Sequence, residues 1–134
     1  MPTFAVKNKH DFMEIGLTHT SELTVTNDVT AMSMGSGDMP VLATPAMIAL
    51  MENAAMMAAR EGLPEGRTTV GGHIDVSHLK PTPLGQTVTA TAELTKIDGR
   101  KLFFNVSARQ GETLIGEGTH LRFIVDQEKF LSKI

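Results

Sequence analysis

The run from Ala43 through Thr44, Pro45, Glu52 and Asn53 to Ala59 limits what this chain can fold into more than any other stretch. Thr44 before Pro45 reads as an N-cap followed by a first helical residue, because Thr can accept from a free backbone N–H and Pro has none to leave unpaired. The apolar residues that follow go round every face, so the spacing predicts a helix enclosed by protein. Glu52 and Asn53 interrupt it too early for a bilayer span. A carboxylate midway along an enclosed helix is costly unless it is partnered or used, which makes Glu52 the first candidate functional residue.

The rest of the chain reads as sheet. Gly16 to Asn27 carries β-branched residues with loose alternation and is expected to be a first strand, with a second short extended piece over Thr30 to Met34. Gly35 to Pro40 is a loop leading to the helix, which ends near Arg60-Glu61-Gly62. From Thr68 to Leu79 the alternation puts Val70, Gly72, Ile74, Val76 and His78 on one face, so His78 points to the core. Val88, Ala90, Ala92 and Leu94 mark the buried side of the next strand. Asp98-Gly99 is a hairpin signal with both residues expected at positive φ. Leu102, Phe104, Val106 and Ala108 return, and Leu114 to Val125 completes the pattern before a short tail.

One or two strands, a buried helix and four antiparallel strands joined by short hairpins form a single α+β domain over residues 1–134. A sheet of that width curls round one long central helix. Its open edges predict a homodimer that pairs them.

Composition removes several function classes. The chain has no cysteine and a net charge of −3 without a basic run, so thiol chemistry, disulfides and a nucleic-acid or anionic-membrane partner are not expected. Met1 to Lys7 lacks an export pattern, and cytoplasmic is the default. No metal site is expected either, since His73 and His78 lie an odd number apart on one strand and face opposite ways.

Glu52 and His78 are the better pair, one carried inward by the helix and the other aimed at it by strand parity. The bland alternative is a satisfied core pair that fixes register. Thr44 already has a capping job in this reading. It would also sit ~12 Å along the axis from Glu52, eight residues away. Either a substrate lies between them, or the helix start is irregular, or a partner subunit brings the groups together. The free N–H groups of the helix start could hold a polarised carbonyl oxygen. Gly71-Gly72 would allow close backbone approach, or mark a bulge.

Three segments together carry a family resemblance: residues 43–55, Val76-Ser77-His78 with its Pro81-x-Pro83-x-Gly85 turn, and Ile115-Gly116-Glu117-Gly118-Thr119-His120-x-Arg122. They resemble the fluoroacetyl-CoA thioesterase family of hotdog proteins, from about Leu17 to Phe130. The resemblance implies a hotdog fold, a dimer with active sites at the subunit interface, and hydrolysis of an acyl-CoA thioester, with CoA entering as part of the substrate and no separate cofactor. Catalytic roles fall on Thr44, Glu52 and His78, and Gly71 and Arg122 match positions near the site. Glu52 would act as nucleophile or as base for water, His78 as proton carrier and Thr44 as an orienting hydroxyl, with Arg122 or Lys80 meeting the CoA phosphates. The family enzyme has a longer, phenylalanine-bearing segment before the helix. Gly35 to Leu42 has no aromatic residue, which predicts a more open acyl pocket without fluoroacetyl selectivity. The rivals are a non-catalytic acyl-CoA-binding hotdog dimer and a hotdog hydratase or dehydratase, although the His-Phe-Pro and Asp-x-Asn-Pro-x-His runs of the latter enzymes do not occur here.

Overall fold

The computed structural model describes residues 13–134, so the reading of Met1 to Lys7 lies outside the described residues. Strand β1 (Thr18–Thr24) is followed by a 3-10 turn (Asn27–Val29), a one-turn helix α1 (Ala31–Met34) and the long helix α2 (Thr44–Arg60). Then come β2 (Arg67–His78), β3 (Thr87–Asp98), β4 (Lys101–Gln110), β5 (Thr113–Asp126) and a short helix α3 (Gln127–Ser132). The strands form one antiparallel sheet in the order β1-β3-β4-β5-β2, with α2 packed across β3 and β1 and, further along, β2 and β4.

The α2 residues Ala46, Met47, Leu50, Met51, Ala54, Ala55, Ala58 and Ala59 are buried, at the three- and four-residue spacing of one helical face. They meet Val88, Ala90, Ala92, Leu94, Leu102, Phe104, Val106 and Ala108, the inward residues expected of β3 and β4. Burying Met47 and Met51 completely contributes about 1.5–3 kcal/mol each. The packing is close: a Cβ on Gly116 would lie 2.5 Å from the Met47 sulfur, so only glycine leaves room for that side chain.

Several expectations are corrected. Residues 31–34 are helix, because Thr30 caps them by accepting from the Ser33 N–H (3.2 Å) while its own hydroxyl donates to the Asn27 carbonyl (2.8 Å). The 98–99 signal marks the hairpin, but the turn is centred on Gly99-Arg100 between paired Asp98 and Lys101, and Gly99 alone carries positive φ (60°). That is the mirror-type turn with glycine first.

The segment after β2 is not a hairpin, since β2 pairs with β5 at the far edge and the chain crosses the molecule to reach β3. The register also shifts between Gly71 and His73. This bulge reverses the face on which side chains appear. Thr69 and Gly71 therefore share the inner side with Ile74, Val76 and His78, while Gly72 faces out against the Phe123 ring, where a Cβ would collide.

Nor is α2 enclosed on all sides within one chain. Thr44, Pro45, Ala49, Asn53 and Arg60 are exposed, and Ile48, Glu52 and Met56 are half-buried. One stripe of the helix is open along its whole length. Among the described residues, no helix is long and apolar enough to cross a membrane, and no cluster of three metal-ligating side chains occurs.

Candidate active site

The first turn of α2 does not use Thr44 as a cap. Ala43 holds the N-cap position without a side-chain hydrogen bond, Thr44 is the first helical residue, and Pro45 follows. Its hydroxyl is thereby free, and it lies 2.7 Å from His78 Nδ1 at the end of β2. The two side chains share a cavity of about 320 Å³ with Ala31, Val41, Leu42 and Lys80. The other ring nitrogen of His78, Nε2, is buried and has no hydrogen-bond partner among the described residues. Burial pulls the His78 pKa below its ordinary value, an effect only partly offset by the nearby Lys80 backbone. The imidazole is therefore held neutral, the form that can accept a proton.

Glu52 lies elsewhere. Its Oε2 sits over Gly71: a Cβ there would stand 2.9 Å from Glu52 Oε2, 3.4 Å from His120 Cε1 and 3.5 Å from Arg122 Nη1. Its charge acts on His120 and Arg122 and is not among the influences on His78. The expectation that Glu52 and His78 meet is thus not fulfilled within one chain. Two turns of helix separate Thr44 from Glu52, and seven residues of β2 separate His78 from Gly71, ~23 Å at ~3.3 Å per residue.

Arg122 is 7% exposed and is held inside the protein rather than at the surface. Nε donates to the Thr69 hydroxyl (2.7 Å), Nη2 to the Thr69 carbonyl (3.0 Å), and Nη1 lies 3.1 Å from His120 Nε2. Since arginine can only donate, His120 accepts at Nε2, and its Nδ1–H donates to the His73 carbonyl (2.7 Å). His120 is therefore neutral in a fixed tautomer, with its pKa lowered mainly by burial. Burial also lowers the Arg122 pKa, while Glu52 opposes that shift. The guanidinium is thus held by Thr69 and His120, on the side of the sheet where Glu52 approaches Gly71. His120 escaped the sequence reading, although its place two residues before Arg122 on one strand put both on the same face.

A model of the fluoroacetyl-CoA-specific thioesterases matches residues 25–128. The chain belongs to this family. The fluoroacetyl-CoA thioesterase of Streptantibioticus cattleyicolor is 45% identical over 94 residues, which are 70% of this chain and 68% of that protein. A solved fluoroacetyl-CoA thioesterase, a threonine-to-serine variant in complex with acetyl-CoA, matches with a TM-score of 0.85 at 36% identity, over 90% of this chain and 96% of that one. A thioesterase superfamily member from Thermus thermophilus matches at 27% identity and a TM-score of 0.82, over 89% and 88%. The fold is the hotdog, shared also with a hot-dog-like protein of Thermanaerovibrio acidaminovorans at 20% identity and a TM-score of 0.83, over 95% and 94%.

Proposed function

We propose that this thioesterase hydrolyses its acyl-CoA with Thr44 and His78 of one subunit and Glu52 of a second copy. The reaction class follows from the family; the division of labour rests on the Thr44–His78 hydrogen bond, which leaves the opposite ring nitrogen buried and unpaired. A nucleophile bonded to a base whose far side awaits a third group is the general form of an activated hydroxyl.

A second copy can supply that group. Strand β2 is an edge of the sheet, and the open stripe of α2 includes Glu52. Pairing β2 antiparallel with its counterpart, centred on Asp75 and with Gly72 as the extra residue of the bulge, sets Gly71 opposite His78 of the other copy. Glu52, lying over Gly71, then faces the orphaned Nε2. The same pairing covers the open stripe, so a homodimer completes both the core and the site.

In the reaction, Thr44 Oγ attacks the thioester carbonyl and its proton passes to His78 Nδ1. Glu52 stabilises the resulting imidazolium through Nε2–H. The carbon–sulfur bond breaks, the CoA thiolate leaves with the proton, and water activated by the same imidazole cleaves the acyl-threonine ester. This gives Thr44 a larger part than orientation. The acyl group is not restricted to fluoroacetyl in this reading. A cavity of about 470 Å³ beside α1, lined by residues including Leu23, Val29, Met34, Ala46 and Leu50, has no aromatic side chain on its walls.

Release of free CoA from a panel of short, branched and aromatic acyl-CoAs tests the proposal. Wild-type protein is expected to turn over at least one, and Glu52→Gln to lose turnover on the order of 10²-fold or more while still binding CoA. Equal turnover in both would leave Glu52 without a catalytic role, and binding without turnover across the panel would favour a non-catalytic acyl-CoA-binding dimer.

A further inference from the structure

The buried side chains around Gly71 form a clamp across the β2 bulge. Strand β2 is an edge of the sheet, and its register shifts between Gly71 and His73, with Gly72 as the extra residue. Arg122 holds the strand before the shift, where Nε and Nη2 donate to the Thr69 hydroxyl (2.7 Å) and carbonyl (3.0 Å). His120 holds it after the shift, where Nδ1–H donates to the His73 carbonyl (2.7 Å). The two halves meet in the bond from Arg122 Nη1 to His120 Nε2 (3.1 Å). Thr69, His120 and Arg122 are all buried, so water does not compete for these bonds. An extra residue in an edge strand disrupts the ladder, and the clamp fixes where it falls by gripping both sides.

We propose that His120 is a positioning residue: acting through Arg122, it fixes the bulge that brings Gly71 beneath Glu52, and its protonation opens the clamp. This rests on the shared-site reading above, in which Gly72 must be the extra residue for Gly71 to stand opposite His78 of the second copy. The bond that joins the halves needs an acceptor at Nε2, because arginine can only donate. A proton there turns the acceptor into a donor and sets two cations side by side. Arg122 Nη1 then has to withdraw. It is the same atom that borders the space over Gly71, where a Cβ would stand 3.5 Å from it and 2.9 Å from Glu52 Oε2. The groups acting on His120 come from every element packed against it. Burial disfavours the charged ring most; Arg122 on its own strand and the His73 ring on β2 add to that, while the His73 carbonyl and Glu52 on α2 oppose it. Strand β4 brings only the uncharged Phe104 ring, with centroids 6.5 Å apart. The clamp is closed with His120 neutral and opens as pH falls through a value below the usual ~6.5. His78 must be neutral as well to take the Thr44 proton, so two separate protonations shut the site.

The test follows kcat/KM of the intact protein, with the fastest acyl-CoA of the panel above, from about pH 8 down to the acid limit of the folded state. With His78 and His120 both required neutral, the logarithm of kcat/KM in wild type should steepen towards about two per pH unit. His120→Gln offers Arg122 an uncharged acceptor at every pH, and its slope should be about one. His120→Asn can still donate to the His73 carbonyl but is too short to reach Arg122. It should lose kcat on the order of tenfold with KM changed less, and His120→Gln should recover most of that loss. A histidine that only packs would lower the melting temperature of both variants and leave the slope at about two. That slope in His120→Gln, or equal kcat in the two variants, would overturn the proposal. The Arg122 Nε–H resonance in NMR spectra gives a readout that needs no hydrolysis. It should resist exchange with solvent at neutral pH, lose that protection in acid in wild type, and keep it in His120→Gln. Protection lost alike in both would overturn the proposal while an active wild type leaves the thioesterase standing. The expected resonance behaviour in a protein that hydrolyses none of the acyl-CoAs would do the reverse, sinking the thioesterase and leaving the clamp as a fixed point of the fold.

Discussion

The hydroxyl of Thr44 and Nδ1 of His78 lie 2.7 Å apart, although 34 residues separate them in the chain. The contact exists because helix α2 begins one residue earlier than a capping threonine would allow. Ala43 takes the cap position, and the Thr44 side chain turns to the strand. The side chain of this threonine takes no part in helix initiation, which leaves its hydroxyl available for the proposed chemistry.

Replacing Thr44 should therefore separate activity from stability. Thr44→Ala removes no capping bond; its cost is the lost hydrogen bond to His78, about 1–2 kcal/mol. Turnover should fall on the order of 10²-fold or more, and Thr44→Ser, which restores the hydroxyl, should recover most of it. Chemical denaturation beside CoA-release kinetics checks both halves. A large loss of stability in Thr44→Ala with turnover retained would contradict this role.

Gly71 and Gly118 should respond differently to the same added methyl group. At Gly71 the new Cβ meets the far end of the Glu52 side chain, 2.9 Å away, which can swing aside. Gly71→Ala should fold and lose activity because the carboxylate is displaced. At Gly118 the Cβ runs into the Asp75 carbonyl and Val76 Cα, which are backbone of the paired strand. Gly118→Ala should lose stability by about 1–3 kcal/mol, from overpacking between β5 and β2. Melting temperatures and turnover of the two variants, side by side, decide the matter.

The buried His120 makes stability depend on pH. Its folded pKa lies below the usual ~6.5, so the unfolded chain binds the proton more readily and acid favours unfolding. Its contribution is fully present above about pH 6.5 and is lost as pH falls from there through the folded value; His78 acts in the same direction. Protonation would place a hydrogen on Nε2 where Arg122 already donates. Replacing His120 by Gln should flatten the loss of stability between about pH 7 and 5. An equally steep loss in the variant would place the acid sensitivity elsewhere.

Much of this was legible in the chain. Val88, Ala90, Ala92 and Leu94, then Leu102, Phe104, Val106 and Ala108, are buried as their alternation required, because a sheet with one covered face imposes a period of two. The helix and its end near Arg60 were equally plain. Three things were hidden. The bulge near Gly72 reversed the parity of Thr69 and Gly71, and a glycine pair does not reveal where a ladder slips. The pairing of β2 with β5 instead of β3 is a property of the whole sheet, absent from any local pattern. Lastly, apolar residues on every face of α2 predict a helix enclosed by protein but do not say whether its own sheet or a second copy encloses it. The open stripe bearing Ala49, Glu52 and Asn53 shows that one chain covers only part of it.

That stripe leads to the most direct test, which mixes two inactive proteins. Glu52→Gln and His78→Ala chains, co-expressed or exchanged as subunits, give a heterodimer with one site free of both replacements if each site draws Glu52 from one copy and His78 from the other. With random pairing, about half the dimers are mixed and each has one working site, so turnover should return to about a quarter of wild type. A mixture that stays as inactive as its two parents, with subunit exchange confirmed, would contradict a site shared between two copies.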